Sequence, residues 1–406
     1  MKQINVHKGS KKRRTRTIIA ALFAVILIIS MTVALILPAA TANAAESSSS
    51  SSKKAKKTTE TSSSKEIVPG AVTIQGDDLA DEEGWVSFFL ICNEGMGNKG
   101  GNSGNTMMVA SLNENSGQIR LMTFEWDTFI KYEGYDLPQK IDMAYRNRGP
   151  EETMNVFNYN FDTGVERYLS LNFLNLASLI DDFGGVTVNV TRAERNALNG
   201  MVSAKKENIQ AMVGANLIGQ EVLEMLADEY YLNEFGPNTH LNGLQAAGYG
   251  WLQYDSVYNC CLRDGEVISS LFKSASESML EKVSFYTDET GKPKKTDNRR
   301  QINLDQMTKS DVNFLMKEVS PIFDMSYNNM TNEDIISVTT ALARAAYLGS
   351  RQGYSVMDHI QTAVFPLEAK NPLDLVAGAK GHLVDYEENS KAMKDFLFSD
   401  QIAEEE

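Results

Sequence analysis

An α/β layer fold is the expectation for this chain, and three features of the sequence point to it. Val86-Ser87-Phe88-Phe89-Leu90-Ile91-Cys92 is a compact apolar run suited to a buried strand. Two further runs, 106–112 and 118–124, flank Asn113-Glu114-Asn115-Ser116-Gly117, whose composition signals a hairpin. Strand-like and helix-like stretches then alternate, as they do where helices cover a sheet. Residues 151–159 read as a helix, 167–171 as a strand, and 173–183 as a helix stopped by Gly184-Gly185. Val186-Thr187-Val188-Asn189-Val190 is β-branched and reads as a strand. Residues 217–231 and 239–251 read as two more helices, and 267–272 as part of another. Beyond a polar loop at 288–300, residues 309–316 and 332–346 read as helices packing on the same sheet. The second opens on Asn332-Glu333-Asp334, an acidic first turn that suits the helix dipole. The chain shows no internal repeat.

At 406 residues and 42% hydrophobic content, the chain is long enough for one large core or two modest ones. Its formal charge is −14, but Lys2, Lys8, Lys11, Lys12, Arg13, Arg14 and Arg16 all precede the first acidic residue, Glu46, so the remainder carries −21. Such a surface argues against nucleic acid or another anionic polymer as a partner unless a local basic patch or a bridging cation supplies the charge. Residues 18–37 are nearly continuous apolar sequence, broken only by Ser30 and Thr32. That length spans a bilayer, and the preceding basic cluster belongs on the cytoplasmic side, which puts the rest of the chain outside. Ala42-Asn43-Ala44 has the small-x-small form of a signal-peptidase site, so secretion after cleavage following Ala44 is the alternative to a single-pass anchor. Residues 45–70 are rich in Ser, Lys and Thr and read as a disordered spacer. The expected organisation is a basic cytoplasmic tail at 1–17, a signal anchor at 18–44 and a spacer at 45–80. A core domain at 81–285, a helical part packed on it at 286–390 and an acidic tail at 391–406 follow.

Four histidines, one of them His7 in the tail, leave little material for a Ser-His-Asp or Cys-His arrangement. Three cysteines with no histidine close in sequence make a poor zinc signature. No P-loop or dinucleotide-binding glycine pattern is present.

Segments 103–113, 123–129 and 241–253, taken in order, resemble the LytR-CpsA-Psr family of cell-envelope glycopolymer phosphotransferases. The family's patterns run Gly-Ser-Asp-Ser-Arg after a strand, Arg-Ser-Asp-Thr-Met, Pro-Arg-Asp-Thr, Leu-Asn-Gly-x-Gln-Ala-Leu-x-Tyr-x-Arg-x-Arg and Gly-Arg-x-x-Arg-Gln. Laid on this chain, the first puts Asn93 at the aspartate and Gly95 at the arginine. The second gives Ser103 for arginine and Asn105 for aspartate. The third gives Trp126 for arginine but keeps Asp127 and Thr128, and the fourth puts Trp251 and Gln253 where two arginines belong. The last puts Cys260 on its first arginine and Arg263 on its second. Lys140-Ile141-Asp142-Met143-Ala144-Tyr145 and Asp182-Phe183-Gly184-Gly185-Val186 match the family's Lys-Ile-Asn-x-Ala-Tyr and Leu-Gly-Gly-Val patterns. The resemblance covers roughly residues 85–280. It implies a three-layer α-β-α domain with a central mixed β-sheet, preceded by one transmembrane helix.

The family's substrate is a polyprenyl pyrophosphate carrying a glycopolymer, and the resemblance implies arginines on the phosphates and carboxylates on Mg²⁺. Asparagine keeps the shape of a metal ligand but removes its charge, and the lost arginines remove charge-assisted bonds of about 1.5–3 kcal/mol each. The expectation is therefore a catalytically impaired member, a pseudoenzyme. Asp127 and Arg263 remain the catalytic candidates; Asn93, Asn105, Trp126, Arg146, Arg148, Trp251 and Gln253 are candidates for the phosphate or ligand pocket. Each also has a plain structural reading: a capping aspartate, solvated loop arginines or packing indoles. By the alignment Cys92 and Cys260 face the site, so a disulfide from Cys92 to Cys260 or Cys261 is one expectation and three buried thiols the other.

Three functions follow as expectations. One is a membrane-anchored module that binds lipid-linked glycan or peptidoglycan without transferring it. The second is an active Mg²⁺-dependent phosphotransferase using Asp127, Arg263, Arg146 and Arg148, with Asn93 and Asn105 as neutral metal ligands. The third is a structural or regulatory partner of an active paralogue. A hydrophobic tunnel beside Cys92, Trp126 and Trp251 favours the first, convergent arginines the second, and a filled pocket the third.

Overall fold

The apolar run at 86–92 forms β1 (Trp85–Asn93), buried along its whole length. The structure is a computed structural model that describes residues 84–93, 104–215, 231–292 and 298–398, all within the compact unit Glu66–Glu406. Beside β1, β2 (Gly104–Asn113) returns antiparallel, and β3 (Ile119–Phe124) lies antiparallel to β2. The expected hairpin joins them: Asn113 Oδ1 accepts from the amides of Asn115 and Ser116 at 2.9 and 2.8 Å, the asparagine turn its composition predicts.

A short pair, β4 (Phe129–Ile130) and β5 (Gln139–Lys140), leads into α1 (Asp142–Arg148) and α2 (Pro150–Phe161). The chain re-enters the sheet as β6 (Tyr168–Asn172), parallel to β1. Asn172 then caps α3 (Phe173–Asp182) by accepting from the Asn175 amide at 2.8 Å. Strand β7 (Val186–Val190) is followed by α4 (Arg192–Gly214), started by a Thr191/Glu194 capping box. β8 (Gly236–Leu241) pairs with β7 and leads to α5 (Gly243–Gly250) and the long α6 (Val257–Lys282). Next come β9 (Val283–Tyr286), its parallel partner β10 (Arg300–Asn303), α7 (Lys309–Asp324), β11 (Tyr327–Asn328) and α8 (Asn332–Gly349). β12 (Ile360–Phe365), the hairpin of β13 (Asp374–Val376) and β14 (Ala379–Gly381), and α9 (Tyr386–Phe398) complete the described chain.

The main sheet has the order β11-β6-β1-β2-β3-β12. It is mixed, because β1 with β6 and β3 with β12 run parallel while the other pairs run antiparallel. Alternation along β1 sends Phe88, Leu90 and Cys92 into one apolar cluster and Phe89 and Ile91 into another. The first cluster is closed by α3, α5, α6 and α8 through Leu176, Ala246, Ile268 and Leu342. The second is closed by α1, α2 and α9 through Tyr145, Phe157, Phe161 and Met393. Helices therefore cover both faces, as expected for a three-layer α/β fold.

Several expectations need correction. Residues 239–251 are not one helix: 236–241 pair with β7, and Asn242 caps a helix that starts at Gly243. The helix expected at 309–316 runs to Asp324, and α4, α9 and β12 had no counterpart in the sequence reading. Both edges of the main sheet, β11 and β12, come from the segment expected to be helical at 286–390. The helix expected at 217–231 and the membrane span expected at 18–37 lie outside the described residues, apart from Tyr231. Among the described residues, no helix is long and apolar enough to cross a membrane.

Candidate functional site

Asn93 ends β1 beside an irregularity in its pairing with β2 and is fully buried. Its Nδ2 donates to Tyr145 Oη at 2.7 Å and to the Leu171 carbonyl at 3.0 Å, and Tyr145 Oη bonds Ser170 Oγ at 3.0 Å. The amide thus closes a network between β1, β6 and α1. Asn105 lies in β2. Neither family position carries a carboxylate, so the pair does not fit Mg²⁺, which favours charged oxygen ligands.

On the other face of the sheet, the Thr106 hydroxyl donates to Asp264 Oδ1 at 2.9 Å and accepts from Trp251 Nε1 at 3.1 Å. The Trp251 ring is buried against Phe173, with centroids 4.9 Å apart. Burial pushes the Asp264 carboxyl well above its ordinary range, against the Thr106 hydrogen bond and the Arg263 charge. Burial also raises all three thiols, with the charge of Asp264 adding to it. Cys92, Cys260 and Cys261 are free, and Cys260 Sγ donates to the Gly250 carbonyl at 3.2 Å. The expected disulfide is therefore corrected to three buried thiols whose surroundings disfavour the thiolate needed to form it.

Arg263 is buried at the start of α6 and grips Asp255 with both terminal nitrogens, at 2.8 and 3.1 Å. It also donates to the Leu252 carbonyl and lies 3.4 Å from Glu194 Oε1. Gln253 is exposed. Arg146 and Arg148 sit on α1, in half-exposed pairs with Asp142 at 2.8 Å and Glu152 at 3.7 Å. The arginines expected to converge on one phosphate are thus held by carboxylates on different elements. The two indoles also part company, Trp251 in the first apolar cluster and Trp126 against the second. They do not share an aromatic cleft.

Trp126 instead lines a cleft of about 450 Å³ with Leu137, Lys140, Asp142, Arg146 and Val376. Lys140 Nζ stands 5.5 Å from the centre of its ring. On the first face, a narrow apolar cavity of about 30 Å³ lies among Leu90, Leu171, Leu179, Ile268 and Phe272.

Asp127 lies in the turn after β3, where the Thr128 amide donates to the Glu125 carbonyl at 3.2 Å and the Phe129 amide to the His382 carbonyl at 2.8 Å. Thr128 and His382 form a parallel bridge. A side chain at Gly381 would put its Cβ 2.1 Å from the Asp127 carbonyl, so this close approach needs glycine. The result is a buried group of Glu125, Asp127 and His382 whose donor atoms all lie within 4.8 Å of one another. Burial, then the charge of Asp127, pushes Glu125 up to about 8. Burial also raises Asp127, opposed by Lys140 and His382. A cleft of about 540 Å³, shared with Tyr258, Lys370 and Asn371, opens on Glu125 and His382.

The motifs singled out Asp127 but neither of its neighbours. Glu125 falls on the proline of the third family pattern, where no charge is expected. His382 lies 255 positions from Asp127, with nothing local to mark it.

Residues 36–345 match the model of the LytR_cpsA_psr family. The polyisoprenyl-teichoic acid–peptidoglycan teichoic acid transferase TagU of Enterococcus faecalis is 27% identical over 84 residues, 21% of this chain and 28% of that protein. The protein of the same name from Halalkalibacterium halodurans is 28% identical over 83 residues, 20% and 27% of the two chains. The match thus spans little more than a quarter of the length of these curated relatives. Among solved structures, TagV of B. subtilis aligns with a TM-score of 0.49 at 14% identity, covering 78% of this chain and 98% of that one. TagT bound to LIIa-WTA aligns at 0.47 and 12%, covering 80% and 93%.

Proposed function

We propose, for a chain that belongs to the LytR_cpsA_psr family, that it binds a polyprenyl-linked glycan or peptidoglycan at the outer face of the cytoplasmic membrane without carrying out the transfer. The observation that carries this reading is the commitment of Arg263, whose guanidinium is spent on Asp255, Leu252 and Glu194. Phosphoryl transfer depends on cations placed where charge develops. To serve a pyrophosphate, Arg263 would have to surrender charge-assisted bonds of about 1.5–3 kcal/mol each. Asn93 and Trp251, at two other family positions, are buried and hydrogen-bonded within the protein.

The cleft beside Trp126 is the better place for a ligand. It combines an indole, which stacks on sugar rings, with Lys140 and Arg146, which suit a phosphate. The apolar cavity on the other face is so narrow that an isoprenoid tail enters only by repacking its walls, so the grip falls on the glycan end. The apolar stretch at 18–37 would hold the chain at the membrane. The names of the relatives, which act on teichoic acid and peptidoglycan, supply the substrate class.

The test is binding and turnover of a polyprenyl-pyrophosphate-linked glycan by the full chain in detergent, with and without Mg²⁺, beside Trp126→Ala and Asp127→Ala. Binding without phosphate release, weakened about tenfold or more in Trp126→Ala, is expected. Release that needs both Mg²⁺ and Asp127 would restore the transferase. Neither binding nor release would leave the partner of an active paralogue as the better reading.

A further inference from the structure

The chemistry of Glu125, Asp127 and His382 goes beyond that reading and does not depend on it. Glu125 is fully buried, and Asp127 and His382 are 2% and 3% exposed. Neither Glu125 oxygen has a hydrogen-bond partner, and Asp127 Oδ1 and His382 Nδ1 have none either. Glu125 Oε2 stands 2.9 Å from His382 Nε2, within ion-pair range, yet without the alignment of a hydrogen bond. Removing a carboxylate from water costs several kcal/mol unless a partner replaces the lost hydration. Here two carboxylates share one buried space, and their repulsion adds to that cost. Nearly all buried polar atoms in proteins are satisfied, so so many without partners in one place indicate a missing one.

We propose that Glu125, Asp127 and His382 form a binding site for a divalent first-row transition-metal ion such as Zn²⁺ or Mn²⁺. The three donor atoms lie within 4.8 Å of one another, so a small inward shift of the side chains brings them onto a common ion, whose bonds to nitrogen and carboxylate oxygen are about 2.0–2.2 Å long. One imidazole with two carboxylates favours these ions over Mg²⁺ and Ca²⁺, which prefer oxygen alone. Three protein ligands leave positions open toward the cleft shared with Tyr258, Lys370 and Asn371, which also serves as the entry path. The ion would tie the segment after β14 to the end of β3, where the Thr128–His382 bridge already joins the backbones. It would also place positive charge beside Asp127, next to Trp126 at the family's arginine position. This site shares no residue with the two aspartate positions that the resemblance assigns to Mg²⁺.

The test uses the full chain, stripped with chelator and titrated with Zn²⁺ in the presence of excess Mg²⁺. One ion retained per chain and a raised Tm are expected. Glu125→Gln and His382→Gln should each weaken binding by more than the roughly 10–100-fold that loss of an outer hydrogen-bond partner costs. Failure of the wild type to retain zinc would overturn the proposal, and so would one ion per chain retained undiminished in both variants. Should the variants fail to fold, Co²⁺ in the wild type decides. A visible spectrum of nitrogen and oxygen ligands is expected, whereas a thiolate-to-cobalt charge-transfer band would place the ion on a cysteine and overturn the assignment.

Discussion

Asp264 shows how one buried carboxyl reaches the behaviour of the whole protein. One oxygen accepts from Thr106, the other has no partner, and burial holds the carboxyl well above its ordinary value of 3.8. A carboxyl with a higher pKa in the folded state takes up a proton on folding. Its contribution is therefore fully present below that ordinary value and is lost as pH rises toward the folded one. Asp264→Asn keeps an acceptor for Thr106 and removes the titration. The stability of the variant relative to wild type should become more favourable as pH rises above 3.8 in urea unfolding; a constant difference would remove Asp264 as the cause. Trp251 gives a second case: its ring packs on Phe173 and its nitrogen donates to Thr106. Trp251→Ala should cost about 3–5 kcal/mol, read from the urea midpoint; a loss below 1 kcal/mol would mean that the site collapses around the gap. The order of the motifs led to Asn93, Trp126, Asp127, Trp251 and Arg263. What those residues bond to was not legible, because Tyr145, Asp255 and Thr106 become their partners only when the chain folds. The carboxylate of Glu125 and the imidazole of His382 stayed hidden for the same reason.

At the scale of elements, local chemistry read well where it was complete within a few residues. The Asn113 turn, the strand at 186–190 and the start of α8 each follow from side chains close in sequence. The stretch at 239–251 reads as one helix because apolar residues continue through it, yet Asn242 and Gln245 form a capping box that fixes the start at Gly243. That glycine has a tertiary reason as well. A Cβ at Gly243 would lie 1.8 Å from the Ala177 carbonyl of α3, and its amide donates to Asp181 Oδ1 at 2.6 Å. Gly243→Ala should force α5 away from α3 and cost about 1–3 kcal/mol, although alanine is the better helix former. An unchanged urea midpoint would show that the two helices separate without penalty.

At the scale of the whole molecule, the apolar runs at 86–92, 106–112 and 118–124 made the centre of the sheet legible, but its margins were not. β12 carries no long apolar run, and it becomes a strand because it pairs with β3 from Ile360–Ile119 to Phe365–Phe124. The family match ends at residue 345, yet the protein beyond it supplies this edge strand and α9. Phe365, Met393, Leu397 and Phe398 are all buried in the second apolar cluster. At about 1.5–3 kcal/mol for each side chain buried, the four contribute on the order of 6–12 kcal/mol. That is comparable with the whole stability of an ordinary domain, about 5–15 kcal/mol. Truncation after residue 349 would also leave β3 as an unpaired edge with Phe124 and Phe161 uncovered, an invitation to aggregation. A chain ending there should be recovered largely insoluble, or without a cooperative thermal transition, while the full chain melts sharply. A soluble truncated protein with a single sharp transition would show instead that the family-matched part folds alone and that the C-terminal strand and helix are accessory.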